Sequence, residues 1–247
     1  MLKHVIVMKT SGIIFFKQDF LHHLPNSNLI GQLVGALLDA CAQALNFVTP
    51  IYVEFRNVAI SICLKDRNLA VLIFHDASDG PEFGRILAAE MMRVFVELFP
   101  THTLDQKDAI QREFGANFPL IMQRVIHAVL HGLVQHRGIQ SAFLIHTGAS
   151  SGENIYFGNT PDTLRLEANL RTLLNASAHI MAFSDRNEAA LECVLEAART
   201  RTHIIRLTPR ATLVVSVARA VAAALAKRRI SQGVFLLQNA LMLMSRQ

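Results

Sequence analysis

The first hundred residues carry a succession of short strand-like segments whose order leaves few folds open. His4 to Thr10 is apolar and β-branched, Ser11-Gly12 marks a tight turn, and Ile13 to Gln18 is a second such run, which together predict a β-hairpin. Pro25 and Asn26-Ser27-Asn28 then punctuate the chain and offer helix caps. Beyond them Ile30, Val34, Leu37, Cys41 and Leu45 recur at helical spacing, and the pattern ends before Pro50. Three strands are expected next. Ile51, Val53 and Phe55 alternate with Tyr52, Glu54 and Arg56; Val58, Ile60, Ile62 and Leu64 give another strand one apolar face; Leu69 to His75 is nearly continuous. Lys65-Asp66-Arg67-Asn68 is the turn between the last two. Asp79-Gly80-Pro81-Glu82 reads as a capping box with proline in the first turn, opening a helix whose inward face is Phe83, Leu87, Met91, Val94 and Leu98. The order is ββαβββα, closing at Pro100.

The second half repeats that order after an extra helix. Ile121, Val125, Val129 and Leu133 mark the extra helix, and Ser141 to His146 with Asn154 to Phe157 form a hairpin around Gly148 and Gly152. Thr160-Pro161-Asp162 caps a helix running towards Ile180. Thr202 to Leu207 and Thr212 to Val217 are strands separated by Pro209-Arg210, and the remainder is helical with a break expected near Gly233. Glu188 to Arg199 carries a conflict: its Ala, Leu and Glu content favours helix, whereas the repeated order wants a strand there. The expected fold is therefore α/β of the α+β kind, with two consecutive domains, each a mainly antiparallel five-stranded sheet with packed helices. Their bounds are residues 1–100 and 119–247, with the polar stretch 101–118 as linker.

Composition narrows the class further. Hydrophobic residues make up 51% of the 247 and charged residues 17%, which excludes a disordered chain and leaves apolar surface for a large core, a partner, or both. Cys41, Cys63 and Cys193 are scattered and odd in number, unlike a disulfide framework or a zinc knuckle, and fit a reducing compartment. The opening MLKHVIVMKTSG is too short an apolar run for a signal peptide. Leu29 to Val48 includes Asp39, Gln32 and Gln43 and reads as a core helix, not a membrane span.

The segments MLKHVIVMKTSGIIFF, LIGQLVGALLDACAQAL, IYVEFRNVAISICL and LAVLIFH resemble, in that order, a longin domain. The hairpin SAFLIHTGASSGENIYFG, the helix LRLEANLRTLLNAS and the strand TLVVSV before a last helix resemble a roadblock/LC7 domain. At a distance the whole is similar to multi-longin trafficking proteins, including the Fuzzy-type planar-polarity group, although those have three modules and this chain has two. The resemblance implies a noncatalytic interaction subunit of a membrane-trafficking or small-GTPase-regulating complex, in which any guanine-nucleotide exchange belongs to the assembly. It implies small GTPases and other longin or roadblock subunits as partners, a hetero-oligomer, and a cytoplasmic location peripheral to intracellular membranes. It calls for no cofactor.

Two stretches invite an enzymatic reading instead. Thr147-Gly148-Ala149-Ser150-Ser151-Gly152 follows a strand as a dinucleotide turn would, but position 154 is Asn where a third glycine belongs, and neither Tyr52 nor Tyr156 has lysine four residues later. Gly148 to Gly152 also matches G-x-S-x-G, with Asp185 and His203 in order behind Ser150, yet a strand and not a helix follows. A hydrolase or dehydrogenase using this loop is the competing reading. His127 and His131 have the i,i+4 spacing of metal ligands without a glutamate between them or a third ligand. No catalytic residue and no metal site is named.

Two groups are candidates for binding. Arg199, Arg201, His203, Arg206 and Arg210 form the one basic cluster; alternation along a strand would place Arg199, Arg201 and His203 on one face. Such a strip suits anionic lipid headgroups, phosphates or an acidic protein, or is simply a solvated sheet edge; aromatics amount to 7% and none lies nearby, which argues against nucleic acid. Ile230, Val234, Leu237, Leu241 and Met244 make a narrow helical seam behind Lys227-Arg228-Arg229. That helix either docks a partner or membrane surface, or folds back on its own domain.

Overall fold

The structure is a computed structural model of the 247-residue chain, and it describes residues 1–20, 32–37, 39, 52–66, 68–100, 107–146, 154–158, 168–172, 175 and 192–244. The chain divides into two compact units, Met1–Val125 and Ile126–Gln247.

In the first unit, β1 (Leu2–Lys9) and β2 (Ile14–Asp19) form the expected hairpin, closed at Gly12, whose φ of 94° is open to glycine at no steric cost. Strands β3 (Tyr52–Glu54), β4 (Val58–Lys65) and β5 (Leu69–Asp76) follow as a meander. Strand β5 inserts beside β1, so the antiparallel sheet has the order β2-β1-β5-β4-β3. This central position explains why Leu69 to His75 reads as a continuous apolar run: both faces of β5 are covered. On one face Ile6, Met8, Ile60, Ile62, Leu72 and Phe74 pack with Val34 of the helical residues 32–37. Helix α1 (Gly80–Leu98) lies against β4 and β5 on the other.

Two expectations are corrected here. Asp79 stands at the start of α1 but its carboxylate makes no cap bond; it pairs with the Met1 ammonium instead, so there is no capping box. Within 101–118, expected to be a linker, α2 (Lys107–Ala116) packs on β2 with Ile110 and Phe114 buried. Helix α3 (Phe118–Gln135) follows, and the division between the units falls inside it.

The second unit repeats the plan. Strands β6 (Ile139–His146) and β7 (Ile155–Gly158) pair as a hairpin whose connecting loop, Gly148 to Gly152 included, lies outside the described residues. Strands β8 (Glu192–Glu196), β9 (Thr200–Thr208) and β10 (Ala211–Ala218) complete an antiparallel sheet in the order β7-β6-β10-β9-β8. Position for position this is the order of the first sheet. The two antiparallel five-stranded sheets with packed helices are the fold class that the sequence implies. Residues 192–196 settle the conflict in favour of strand: β9 offers an unfilled ladder, and pairing to it outweighs a weak helical preference.

Phe143, Ile145, Ile204 and Val214 pack with Leu170 of the helical residues 168–172, the counterpart of Val34 over the first sheet. The opposite face meets the last helix, α4 (Ala223–Met244), which runs unbroken through Gly233. Gly233 breaks nothing because its missing side chain is what lets α4 approach α3: a Cβ there would lie 2.8 Å from Leu133 Cδ1.

Candidate functional site: an open sheet edge and its groove

Strand β8 ends the second sheet, and among the described residues nothing pairs with its outer edge. Its register sets Glu192, Val194 and Glu196 against Ile205, His203 and Arg201 on the α4 side, with Cys193 and Leu195 on the other. Val194 is 43% exposed and Leu195 40%, so the edge shows apolar side chains on both faces. Charge guards each end: Glu196 takes Arg201 Nε at 2.8 Å, and Glu192 accepts from His203 Nδ1 at 3.2 Å.

Behind this edge runs a groove of about 170 Å³ between β8–β9 and α4, lined by Glu192, His203, Ile205, Lys227, Val234 and Phe235 among others. Small-molecule and cofactor sites run to roughly 300 Å³ and more, so this one suits a side chain better. With Nδ1 donating to Glu192, the buried Nε2 of His203 has no partner among the described residues.

The structure rearranges both candidate groups. Of the basic cluster, Arg201 and His203 do share a face, but each meets a carboxylate and His203 is buried, so no free cationic strip exists there. Arg199 precedes β9 in a turn, Arg206 points to the opposite face, and Arg210 sits in the turn at the other end of β9. Of the helical seam, Ile230, Leu237 and Leu241 are buried, Val234 is half-buried and Met244 exposed. The seam is therefore largely the inward face of α4, folding back on its own unit. Ile230 and Val234 nevertheless line the same groove as His203, which joins the two groups at one place.

One polar constellation has no forewarning in the motifs. Ser61 Oγ lies 3.0 Å from His75 Nε2, His75 Nδ1 donates to the Asp76 carbonyl at 3.0 Å, and the Asp79 carboxylate is 3.8 Å from Nδ1. The residue types are those of a nucleophile, base and orienting acid. Ser61 and His75 are both 0% exposed, however, and the backbone of α1 at Gly84 seals them, since a Cβ there would fall 2.1 Å from Ser61 Oγ. No substrate reaches such a pair; its work is to satisfy two polar side chains inside an apolar core. The available signal was two polar residues at inward positions of apolar strands. Burial holds the His75 pKa below the ordinary histidine value, opposed by its bond to the Asp76 carbonyl and by the Asp79 charge.

His127 and His131 both flank the Phe157 ring, at 5.7 Å each. Among the described residues no group of three or more His, Cys, Asp or Glu side chains could hold a metal ion, and no helix is long and apolar enough to cross a membrane. Ser150 and Asp185, on which the hydrolase reading depends, lie outside the described residues.

No family model and no curated protein sequence matches the chain. Solved structures similar to it include Myxococcus xanthus MglB, 19% identical, with a TM-score of 0.44 over 49% of this chain and 90% of that one. A roadblock/LC7 domain from Streptomyces avermitilis is 19% identical, with a TM-score of 0.38 over 47% of this chain and 96% of that one. A homology model of the full-length AP-3 complex aligns at 13% identity and a TM-score of 0.33 over 74% of this chain and 98% of that one.

Proposed function

We propose that the chain is a noncatalytic protein-interaction subunit of a trafficking or small-GTPase-regulating complex, and that it takes its partner at the open edge of β8. The observation that carries this is the edge itself: an end strand with Val194 and Leu195 exposed on its two faces. Unpaired backbone groups beside apolar side chains are what an incoming strand extends, the added ladder giving affinity and side-chain pockets giving selectivity. The groove beside it, with a buried unpaired nitrogen at His203, suits a partner side chain carrying a hydrogen-bond donor. The partner is a small GTPase or another longin or roadblock subunit, as the sequence resemblance implies, in a hetero-oligomer peripheral to an intracellular membrane. Exchange activity, where present, belongs to the assembly.

The test is capture from native lysate with the wild-type chain and with Val194→Lys plus Leu195→Lys, each in Mg-GTP and in EDTA. Lysine on an edge strand opposes pairing and, at exposed positions, changes stability by no more than about 0.5 kcal/mol. The expected result is a small GTPase or a longin or roadblock chain on the wild type that the double variant loses. Equal recovery on both would remove β8 as the surface, and recovery of no such chain would sink the subunit reading.

A further inference from the structure

We propose that one end of the second sheet is a contact surface for anionic lipid headgroups, built from Arg137, Arg199 and Arg219 with the apolar first turn of α4. It lies apart from the β8 groove and does not depend on the function proposed for that edge. The three arginines come from neighbouring strands: Arg137 precedes β6, Arg199 precedes β9, and Arg219 follows β10, which runs between them. Backbone bonds fix the juxtaposition, Ala218 N donating to the Gly138 carbonyl at 2.8 Å and Arg219 N to that of Arg199 at 2.9 Å. Strands spaced by about 4.8 Å place these backbones within roughly 10 Å of one another.

All three side chains are exposed. Arg219 pairs with Glu196 only at 4.0 Å, where Arg201 holds the same side chain at 2.8 Å, and donates to the Ala197 carbonyl at 3.4 Å, while its guanidinium stays 54% exposed. Arg228 and Arg229, both exposed, follow in the second turn of α4.

The second observation is apolar. Ala222, Ala223, Ala224 and Leu225 are exposed in succession, Leu225 by 54%. The turn leading into them is held in place: Val221 packs into the space that a side chain on Gly138 would fill, a Cβ there lying 2.0 Å from Val221 Cγ2 at a φ of +93°. Guanidinium groups beside a protruding leucine match a bilayer interface, where phosphates meet the acyl boundary. Duplex nucleic acid would use the charges and leave Leu225 without a role. The membrane contact expected of the cluster Arg199 to Arg210 thus moves: Arg199 stays in it, while Arg206 and Arg210 lie elsewhere.

The experiment is flotation of the full chain with vesicles of neutral phosphatidylcholine, and with the same vesicles carrying about 30% phosphatidylserine. Binding is expected only to the anionic vesicles, falling as salt is raised. Each arginine near such a surface contributes a factor of about five, so R137Q with R199Q and R219Q should lower the partition coefficient by roughly a hundredfold. R206Q with R210Q should leave it unchanged, and L225Q alone should lower it several-fold while keeping the salt dependence. Absence of wild-type binding, equal binding to neutral vesicles, or like behaviour of the two arginine variants would each overturn the proposal. So would an inert L225Q together with tight binding to a DNA duplex, which would assign the surface to nucleic acid.

Discussion

The two sheets share strand order, connection order and helix placement, yet they end differently. At the β2 edge of the first sheet, Gln111 of α2 donates through Nε2 to the Lys17 carbonyl at 2.8 Å and accepts from the Lys17 N–H at 3.0 Å. One side-chain amide thus fills two of the backbone positions that a further strand would occupy. Beneath it Phe114 stacks edge-on to Phe16 at 4.8 Å and to Phe95 at 5.2 Å. The other end of that sheet, β3, is three residues long, with Tyr52 bonded to Glu54. Its counterpart β8 is five residues long and keeps Val194 and Leu195 in solvent. One topology therefore yields a β2 edge capped by a side chain and, among the described residues, a β8 edge left open, and the difference lies in a few edge residues.

The largest expected effect comes from undoing the closed edge. Phe114→Ala removes a fully buried ring from a cluster of four phenylalanines, Phe16, Phe95, Phe99 and Phe114. Such truncations cost about 3–5 kcal/mol. In urea titration the midpoint should fall accordingly, and hydrogen exchange should show β2 losing protection while β9 and β10 keep theirs. Equal loss in both sheets would show that the edge is not closed locally.

Gly84→Ala should cost about 1–3 kcal/mol, because over-packing a filled core forces backbone to shift. The new Cβ would meet Ser61 Oγ at 2.1 Å and His75 Nε2 at 2.5 Å. Gly132→Ala is the matched control with the opposite sign: it is an exposed helical glycine with nothing within 4 Å, and alanine there should stabilise by up to about 1 kcal/mol. Thermal unfolding of the two variants should bracket the wild type; two shifts in the same direction would contradict the sealed Ser61–His75 pair.

What was legible follows the range of the forces concerned. Period-two alternation and turn residues are local, so the strands and both hairpins stand out in the sequence, and β5 announces its central place by being apolar throughout. The identity of β8 was not legible, because Glu, Leu and Ala favour helix and only the free ladder of β9 reverses them. Gly233 reads as a breaker until Leu133, a hundred residues earlier, is seen against it. The Gln111 clamp joins residues 94 apart and leaves no trace in either segment. For the site, His203 and the Ile230–Val234 pair were recognisable on separate grounds, one as a basic cluster and one as a helical seam. Their meeting in one groove is a tertiary fact. The basic cluster dissolved because a turn separates Arg199 from β9 and alternation turns Arg206 to the other face.

The smallest effect at neutral pH, and the one that sharpens the comparison further, is acid sensitivity. Burial is the leading cause that lowers the pKa of His4 and His75 in the first unit and of His146 in the second below the ordinary 6.5. The unfolded chain then binds more protons than the folded one once pH drops to about 6.5, so stability is full above that value and declines as pH falls towards the folded pKa values. His4 is partly protected by the Asp19 carboxylate at 2.9 Å, whereas His75 is wholly enclosed. The first unit should therefore lose protection at β4 and β5 as pH falls below about 6.5. His75→Gln retains a hydrogen-bonding side chain without the titration, and should flatten that decline while lowering stability at pH 7. A decline that persists unchanged in the variant would place the titrating group elsewhere than the enclosed His75, and the contrast between a sealed and an open sheet would then rest on the edges alone.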